Sequence, residues 1–174
     1  MTEPLLIITG PPGVGKSTAA RTIAEAFPKA ALVAGDEFHR SLVSGAIPPH
    51  LPASRDQNVM LIDITMQAAA AYAAGGWVTV LEGIIGPWFL DAARHAAAEV
   101  RAPLHYAILD ADLEICRARY VHREQDDGRL EIVEKMHREF RSHPMPDHVI
   151  DASGDPASLA RSVQTAFESG HLLL

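Results

Sequence analysis

The feature that most constrains this chain is the stretch from Gly10 to Thr18, which reads GPPGVGKST. It fits the pattern G-x-x-x-x-G-K-[ST], in which glycines let successive backbone N–H groups point at one anion. Lys16 adds a compact positive charge, and the Ser17 hydroxyl is a suitable Mg²⁺ ligand. An apolar run precedes the stretch and a helix-forming run follows it, as a nucleoside triphosphate site requires. The residues predicted to hold the phosphates are Gly10, Pro11, Pro12, Gly13, Val14, Gly15, Lys16, Ser17 and Thr18.

The composition excludes several classes of protein. With 174 residues, 48% of them hydrophobic and 21% charged, the chain has the profile of one soluble globular domain. A net charge of −7 argues against general nucleic-acid binding, which needs a basic surface. Cys116 is the only cysteine, which favours a reducing compartment. No apolar run approaches the roughly 20 residues of a membrane span, and the N-terminus lacks signal-peptide features. We therefore expect a cytoplasmic protein.

Apolar runs that alternate with helical stretches predict the fold class. Strands are expected at residues 5–9, 31–34, 77–81, 104–109 and 148–150. Helices are expected at about 15–27, 54–74, 87–100, 112–124, 130–141 and 155–170, with a further short helix before residue 45. Ser54 is the expected N-cap of the helix at 54–74. This order predicts a three-layer α/β fold with a five-stranded, mostly parallel sheet, formed by residues 1–174 as a single domain.

Acidic residues follow four of the predicted strands, namely Asp36, Glu82, Asp110 and Asp151. Because ligands of parallel sheets bind beyond the carboxyl ends of the strands, these carboxylates are candidates for the site.

The loop motif and these acidic positions together resemble the small P-loop kinases: the nucleoside monophosphate, shikimate and gluconate kinases and chloramphenicol phosphotransferase. The resemblance covers nearly the whole chain. It implies the P-loop NTPase fold, ATP and Mg²⁺ as cofactors, and a short lid at about residues 117–135. The implied activity is transfer of the γ-phosphoryl group to a hydroxyl of a small molecule.

The segment after the second strand carries the predicted base. Gly35, Asp36 and His39 match the Gly-Asp-x-x-His pattern of gluconate kinases, and a similarly placed aspartate is the general base of chloramphenicol phosphotransferase. By this resemblance Asp36 orients or deprotonates the acceptor hydroxyl, with His39 and Arg40 beside the substrate. The alternative is that Asp36 only caps a helix.

The lid resemblance assigns two arginines. An Arg-x-x-x-Arg pair in monophosphate kinases stacks on adenine and reaches the phosphates, and Arg119 and Arg123 match it. Arg123, with Lys16 and Asp36, completes the predicted catalytic set, and Arg129 is a further lid candidate. The alternative is a solvated basic helix end.

The segment after the third strand bears on the acceptor. Monophosphate kinases read Asp-Gly-Phe-Pro-Arg here, whereas this chain reads Glu82 to Trp88 without an arginine. The acceptor is therefore predicted to be a sugar acid, polyol or hydroxylated antibiotic. Glu82 is expected to contact Mg²⁺ or substrate. Arg40 and Arg55 are expected to bind an anionic group of the substrate. Trp88 is expected either to line the substrate pocket or to pack in the core.

Two other functions remain open: a nucleotide-binding regulatory protein or weak ATPase, and a nucleoside monophosphate or polynucleotide-end kinase. The acidic net charge counts against the polynucleotide substrate. Monomer and homodimer are both compatible with the sequence, as are ATP and GTP. None of the nine histidines has zinc-site spacing, and His137, His143 and His148 are expected at the surface.

Overall fold

The computed structural model describes residues 1–124 and 130–174. Within them, five strands form one sheet in the order β2-β3-β1-β4-β5. The strands are β1 (Leu5–Thr9), β2 (Ala30–Ala34), β3 (Val78–Glu82), β4 (Leu104–Asp110) and β5 (Val149–Asp151). Every pairing between these strands is parallel, which confirms the predicted sheet and places β2 at one edge.

Helices follow the strands along the chain. In the described part these are α1 (Lys16–Glu25), α2 (Gly35–Arg40), α3 (Arg55–Ala74), α4 (Leu90–Val100), α5 (Leu113–Glu124), α6 (Leu130–Ser142) and α7 (Pro156–Glu168). None of them combines the length and apolarity needed to cross a bilayer. The predicted lid takes in the end of α5 and the start of α6, while Arg129 lies outside the described residues.

Two hydrophobic cores lie on opposite faces of the sheet. Side chains alternate between the faces of a strand, so Leu6 and Ile8 belong to one core and Leu5 and Ile7 to the other. The first core includes residues of α1 and α7, and the second includes residues of α3 and α4. β1 is buried along its whole length at the centre, which confirms the three-layer α/β arrangement.

Ser54 occupies the N-cap position of α3, but the predicted capping bond is absent. Its hydroxyl instead donates to the carbonyls of Pro49 at 2.9 Å and Leu51 at 2.7 Å, so it holds the preceding loop. A side-chain cap does form on α7, where Asp155 accepts from the N–H groups of Ala157 and Ser158. The helix start at Ser54 was predictable, whereas the choice of partner for its hydroxyl was not.

The expectation that His137 lies at the surface is wrong, because this residue is only 6% exposed. It shares the inward face of α6 with Val133 and Phe140, at the i, i+4, i+7 spacing of an amphipathic helix. Its Nε2 lies 3.0 Å from the carbonyl oxygen of Ala111, just after β4. His143 is exposed as expected, and His148 is half-buried.

Candidate active site

The loop between β1 and α1 lies in close contact with backbone atoms of β4 and α5, and its glycines make this approach possible. Gly10 and Gly13 have φ angles of 142° and 81°. A Cβ atom at Gly10 would lie 2.4 Å from the carbonyl oxygen of Leu109, and one at Gly13 would lie 2.1 Å from that of Cys116. Only glycine satisfies both the backbone conformation and this close approach. β4 and α5 therefore fix the course of the predicted phosphate loop.

The loop leads directly into the N-terminus of α1. Gly15 is the N-cap residue, so no side chain caps the helix, and its first turn carries no acidic residue. The first N–H groups of a helix have no partner within the helix, and the helix dipole favours negative charge beside them. This arrangement suits a phosphate group.

Lys16 is the first residue of α1, and its side chain turns back over the loop. Its Nζ donates to the carbonyl oxygen of Pro11 at 3.0 Å. Burial lowers the pKa of Lys16 to about 8, although the negative charges of Glu82 and Asp36 partly oppose that shift. An incoming polyphosphate would stabilise the ammonium form, which suits a residue that binds phosphates.

Ser17 and Glu82 join the loop to the end of β3. The Ser17 Oγ donates to the Glu82 Oε2 at 3.2 Å, and Glu82 is only 7% exposed. Burial raises the pKa of Glu82, while the Lys16 charge and the Ser17 hydrogen bond oppose that rise. A hydroxyl and a carboxylate are hard oxygen donors of the kind Mg²⁺ prefers, so the two residues fit the predicted metal.

Two side chains that sequence reasoning missed hold the segment after Glu82. The Thr9 Oγ accepts from the Ile85 N–H at 2.9 Å, and the Tyr106 hydroxyl donates to the Ile85 carbonyl at 2.7 Å. Burial raises the pKa of Tyr106, which keeps its hydroxyl protonated as a donor. These bonds fix the chain on the far side of Glu82, and a threonine closing the apolar β1 was the available signal.

A cavity of about 360 Å³ opens beside Ser17 and Glu82. It lies where α1, β2 and α2 meet the carboxyl end of β3. Its lining residues are Ser17, Arg21, Leu32, Ala34, Asp36, Glu37, Arg40, Glu82 and Arg123. The cavity therefore unites residues predicted for metal, acceptor and phosphoryl group.

The acidic strand ends divide between two places. Asp36 and Glu82, which follow the neighbouring strands β2 and β3, both line the cavity. Asp110 instead pairs with Arg141 at 3.1 Å, and Asp151 accepts from the backbone and hydroxyl of Ser153. Position at a strand end was therefore not sufficient to predict a place in the cavity.

Three predicted acceptor residues do not line the cavity: His39, Arg55 and Trp88. Trp88 packs its ring 5.3 Å from those of Phe140 and His143, which is the packed alternative for this residue. Arg55 is exposed at the start of α3, and His39 is half-buried on α2. The acceptor residues that do line the cavity are Asp36, Arg40 and Glu82.

The two lid arginines have different surroundings. Arg119 donates to the carbonyls of Ala152 at 2.7 Å and Gly154 at 2.8 Å, and it also reaches Val14 at 3.4 Å. It therefore ties the loop after β5 to the phosphate loop. Arg123 lines the cavity, and its guanidinium lies 5.7 Å from the Tyr120 ring centre.

Four lining residues were not predicted: Arg21, Leu32, Ala34 and Glu37. Arg21 follows Ser17 by four residues, which puts both on one face of a helix, so the helix prediction contained the signal. Leu32 and Ala34 share a face of β2 by the two-residue period of a strand. Glu37 forms an ion pair with Arg40.

Comparison with known proteins agrees with this architecture. A family model described as an AAA domain matches residues 5–143. A gluconokinase from Sinorhizobium meliloti 1021 has a TM-score of 0.70 at 17% identity, covering 95% of this chain and 92% of that one. The tunicamycin resistance protein of Deinococcus radiodurans has a TM-score of 0.69 at 20% identity, covering 98% of each chain. None of the curated proteins compared with the sequence matches it.

A further solved structure contains ligands. The APS kinase of Mycobacterium tuberculosis, in complex with AMPPNP and APS, has a TM-score of 0.73 at 19% identity, covering 96% of this chain and 98% of that one. At these identities the likeness shows the fold alone. It confirms the predicted resemblance to small P-loop kinases and the P-loop NTPase fold.

Proposed function

This chain belongs to the AAA domain family, and we propose that it is an ATP- and Mg²⁺-dependent phosphotransferase acting on a hydroxyl of a small molecule. The observation that carries the proposal is one cavity lined by Ser17, Asp36, Glu82 and Arg123, beside the ammonium of Lys16. The acceptor classes are a sugar acid, a polyol or a hydroxylated antibiotic. Solved proteins of the same fold include a gluconokinase and a tunicamycin resistance protein, which supports this range.

The phosphate loop and two cations bind the nucleotide in this proposal. The backbone N–H groups at the start of α1 and the Lys16 ammonium hold the ATP phosphates. Arg123 neutralises charge on the phosphoryl group during transfer, because its guanidinium faces the same cavity. Arg119 acts indirectly, because it holds the loop after β5, against which the adenine of ATP would lie.

Ser17 and Glu82 would hold Mg²⁺, either directly or through water. When bound, the metal screens negative charge on the phosphate oxygens and helps fix their orientation. The hydrogen bond between these residues and the support of the segment after Glu82 keep both oxygens in position.

Asp36 serves as the proton acceptor. The substrate hydroxyl gives its proton to the Asp36 carboxylate, and its oxygen forms a bond to the γ-phosphorus. The bond from that phosphorus to the bridging β–γ oxygen breaks, and ADP leaves with the bonding electrons. Gly35 brings Asp36 to the site, because a Cβ at Gly35 would lie only 3.3 Å from the Glu82 carbonyl oxygen.

An acceptor screen tests the proposal. Hydroxylated acids, polyols and antibiotics are incubated with the protein, ATP and Mg²⁺, while ADP release and product mass are measured. We expect acceptor-dependent ADP release and a phosphorylated product, both lost in Lys16→Ala. Slow ADP release without any phosphorylated product would favour a nucleotide-dependent regulator. Efficient phosphorylation of AMP, CMP, UMP or a polynucleotide end would overturn the acceptor class.

A further inference from the structure

The cavity continues past the proposed reaction centre toward an arginine that the mechanism above does not use. Arg21 lines the cavity together with Ser17 and Asp36. It follows Ser17 by one helical turn, and α1 runs back along the sheet from the phosphate loop. At 1.5 Å per residue, Arg21 lies about 6 Å along the helix axis from Ser17.

β2 forms the opposite wall of the cavity, and its lining residues span a length similar to that between Ser17 and Arg21 on α1. Ala34 is in register with Glu82, and Leu32 is in register with Val80, two residues earlier in the strand. At about 3.3 Å per residue, Leu32 lies roughly 7 Å from the end of β2 that leads into Asp36. Both walls thus extend the cavity from the reaction centre toward Arg21 and Leu32.

The charges in the cavity leave Arg21 with a distinct role. Arg40 is paired with Glu37 on the same helix, and Lys16 is turned toward the phosphate loop. Among the residues that the structure describes, Arg21 makes no hydrogen bond or ion pair. Its guanidinium is therefore available to a ligand at the end of the cavity away from Asp36.

We propose that the acceptor is a hydroxylated anion whose carboxylate or phosphate binds Arg21 while its hydroxyl lies at Asp36. The inference rests on the proposed function and narrows its substrate class. A guanidinium binds carboxylate and phosphate through two parallel hydrogen bonds, and this geometry gives specificity as well as affinity. The axial rise of about 6 Å between Ser17 and Arg21 is of the order of the span of a five- or six-carbon hydroxy acid.

Three six-carbon probes test this assignment: D-gluconate, D-glucitol 6-phosphate and D-glucitol. They carry a carboxylate, a phosphate and a neutral hydroxyl at one end of a similar chain, so they also distinguish the two anion types. Binding is measured by calorimetry on protein saturated with Mg²⁺ and a non-hydrolysable ATP analogue. We expect at least one anion to bind about 10- to 100-fold more tightly than D-glucitol.

Variants assign that preference to Arg21. Arg21→Leu should remove the preference for anions. Arg21→Lys should keep part of it, because lysine retains the positive charge but cannot form the two parallel hydrogen bonds of a guanidinium. Arg94→Leu, at an exposed position of α4 across the sheet, is the matched control and should keep the full preference. Arg21 is exposed, so each variant is expected to melt close to the wild type.

Two results would overturn the inference: equal binding of all three probes, undetectable binding included, or a preference that survives in Arg21→Leu. The proposed function fails separately. If anions bind through Arg21 but no hydroxyl compound becomes phosphorylated, the anion site stands and the transfer reaction does not. If neutral polyols are phosphorylated equally well by wild type and Arg21→Leu, the reaction stands and the anionic acceptor does not.

Discussion

The phosphate loop and the acceptor cavity meet at Ser17 but are built in different ways. Backbone forms the loop, and its glycines lie against carbonyls of β4 and α5. Side chains on α1, β2 and α2, together with Glu82 of β3 and Arg123 of α5, form the cavity near the edge of the sheet. Of these side chains, Asp36, Glu37 and Arg40 on α2 are exposed. These backbone contacts fix the course of the loop, whereas the cavity surface can change with little effect on the core. Changes in the two regions should therefore have different consequences.

The largest expected effect comes from the loop. Lys16→Ala should lower kcat/KM by on the order of 10³-fold or more, because the ammonium acts on charge at the phosphates. The fold should remain intact, because the substitution removes the free-energy cost of burying a charged ammonium group and adds no comparable cost. ADP release and thermal melting are the measurements, with Lys29→Ala as a control away from the site. Near-full turnover of a folded Lys16→Ala protein would refute the assignment of the phosphate site.

Asp36→Asn probes the cavity side of the comparison. Turnover should fall on the order of 10²- to 10³-fold, because the amide keeps the shape but cannot accept the proton. ATP affinity should not change, since the loop is built from other residues. Glu37→Gln is the matched control, because Glu37 lines the same cavity beside Asp36. It should cost less than about 10-fold, the scale of an exposed ion pair. Normal turnover of Asp36→Asn would refute the assignment of Asp36 as the proton acceptor.

The same contrast explains what the sequence could predict. The loop was predictable because its constraints are local, with glycines, Lys16 and Ser17 at fixed spacing after an apolar strand. The five parallel strands were predictable because each is an apolar run of the right length. The cavity combines residues from five elements, α1, β2, α2, β3 and α5, and its composition depends on packing angles that periodicity does not encode. Trp88 illustrates this, because only the packing of the segment from Pro87 to Phe89 directs its ring toward Phe140.

The lid arginines offer a smaller, sharper comparison. Arg123→Ala should lower kcat by about 10²-fold, since Arg123 faces the cavity where charge develops. Arg119→Ala should raise KM for ATP by about 10-fold with little change in kcat, because its donors hold the loop at Ala152 and Gly154. Steady-state kinetics with varied ATP separates the two effects. A larger loss of kcat in Arg119→Ala than in Arg123→Ala would reverse these roles.

The smallest expected effect is a pH dependence confined to the loop. Burial holds the pKa of Lys16 at about 8, so the nucleotide-free protein loses that proton above about pH 8. Bound phosphates favour the ammonium form, so ATP binding above that pH requires proton uptake, and affinity falls as pH rises. Relative to pH 7, ATP affinity should be about twofold weaker at pH 8 and about tenfold weaker by pH 9, within the limit of one proton per site. Calorimetry of ATP binding measures the slope, and Lys16→Met should bind more weakly but without it. Acceptor affinity at saturating ATP should stay flat over the same range, because Lys16 donates to the phosphate loop and does not line the cavity. An equal slope for ATP in Lys16→Met would assign the titration to another group, and an equal slope for the acceptor would show that the two regions respond to pH as one.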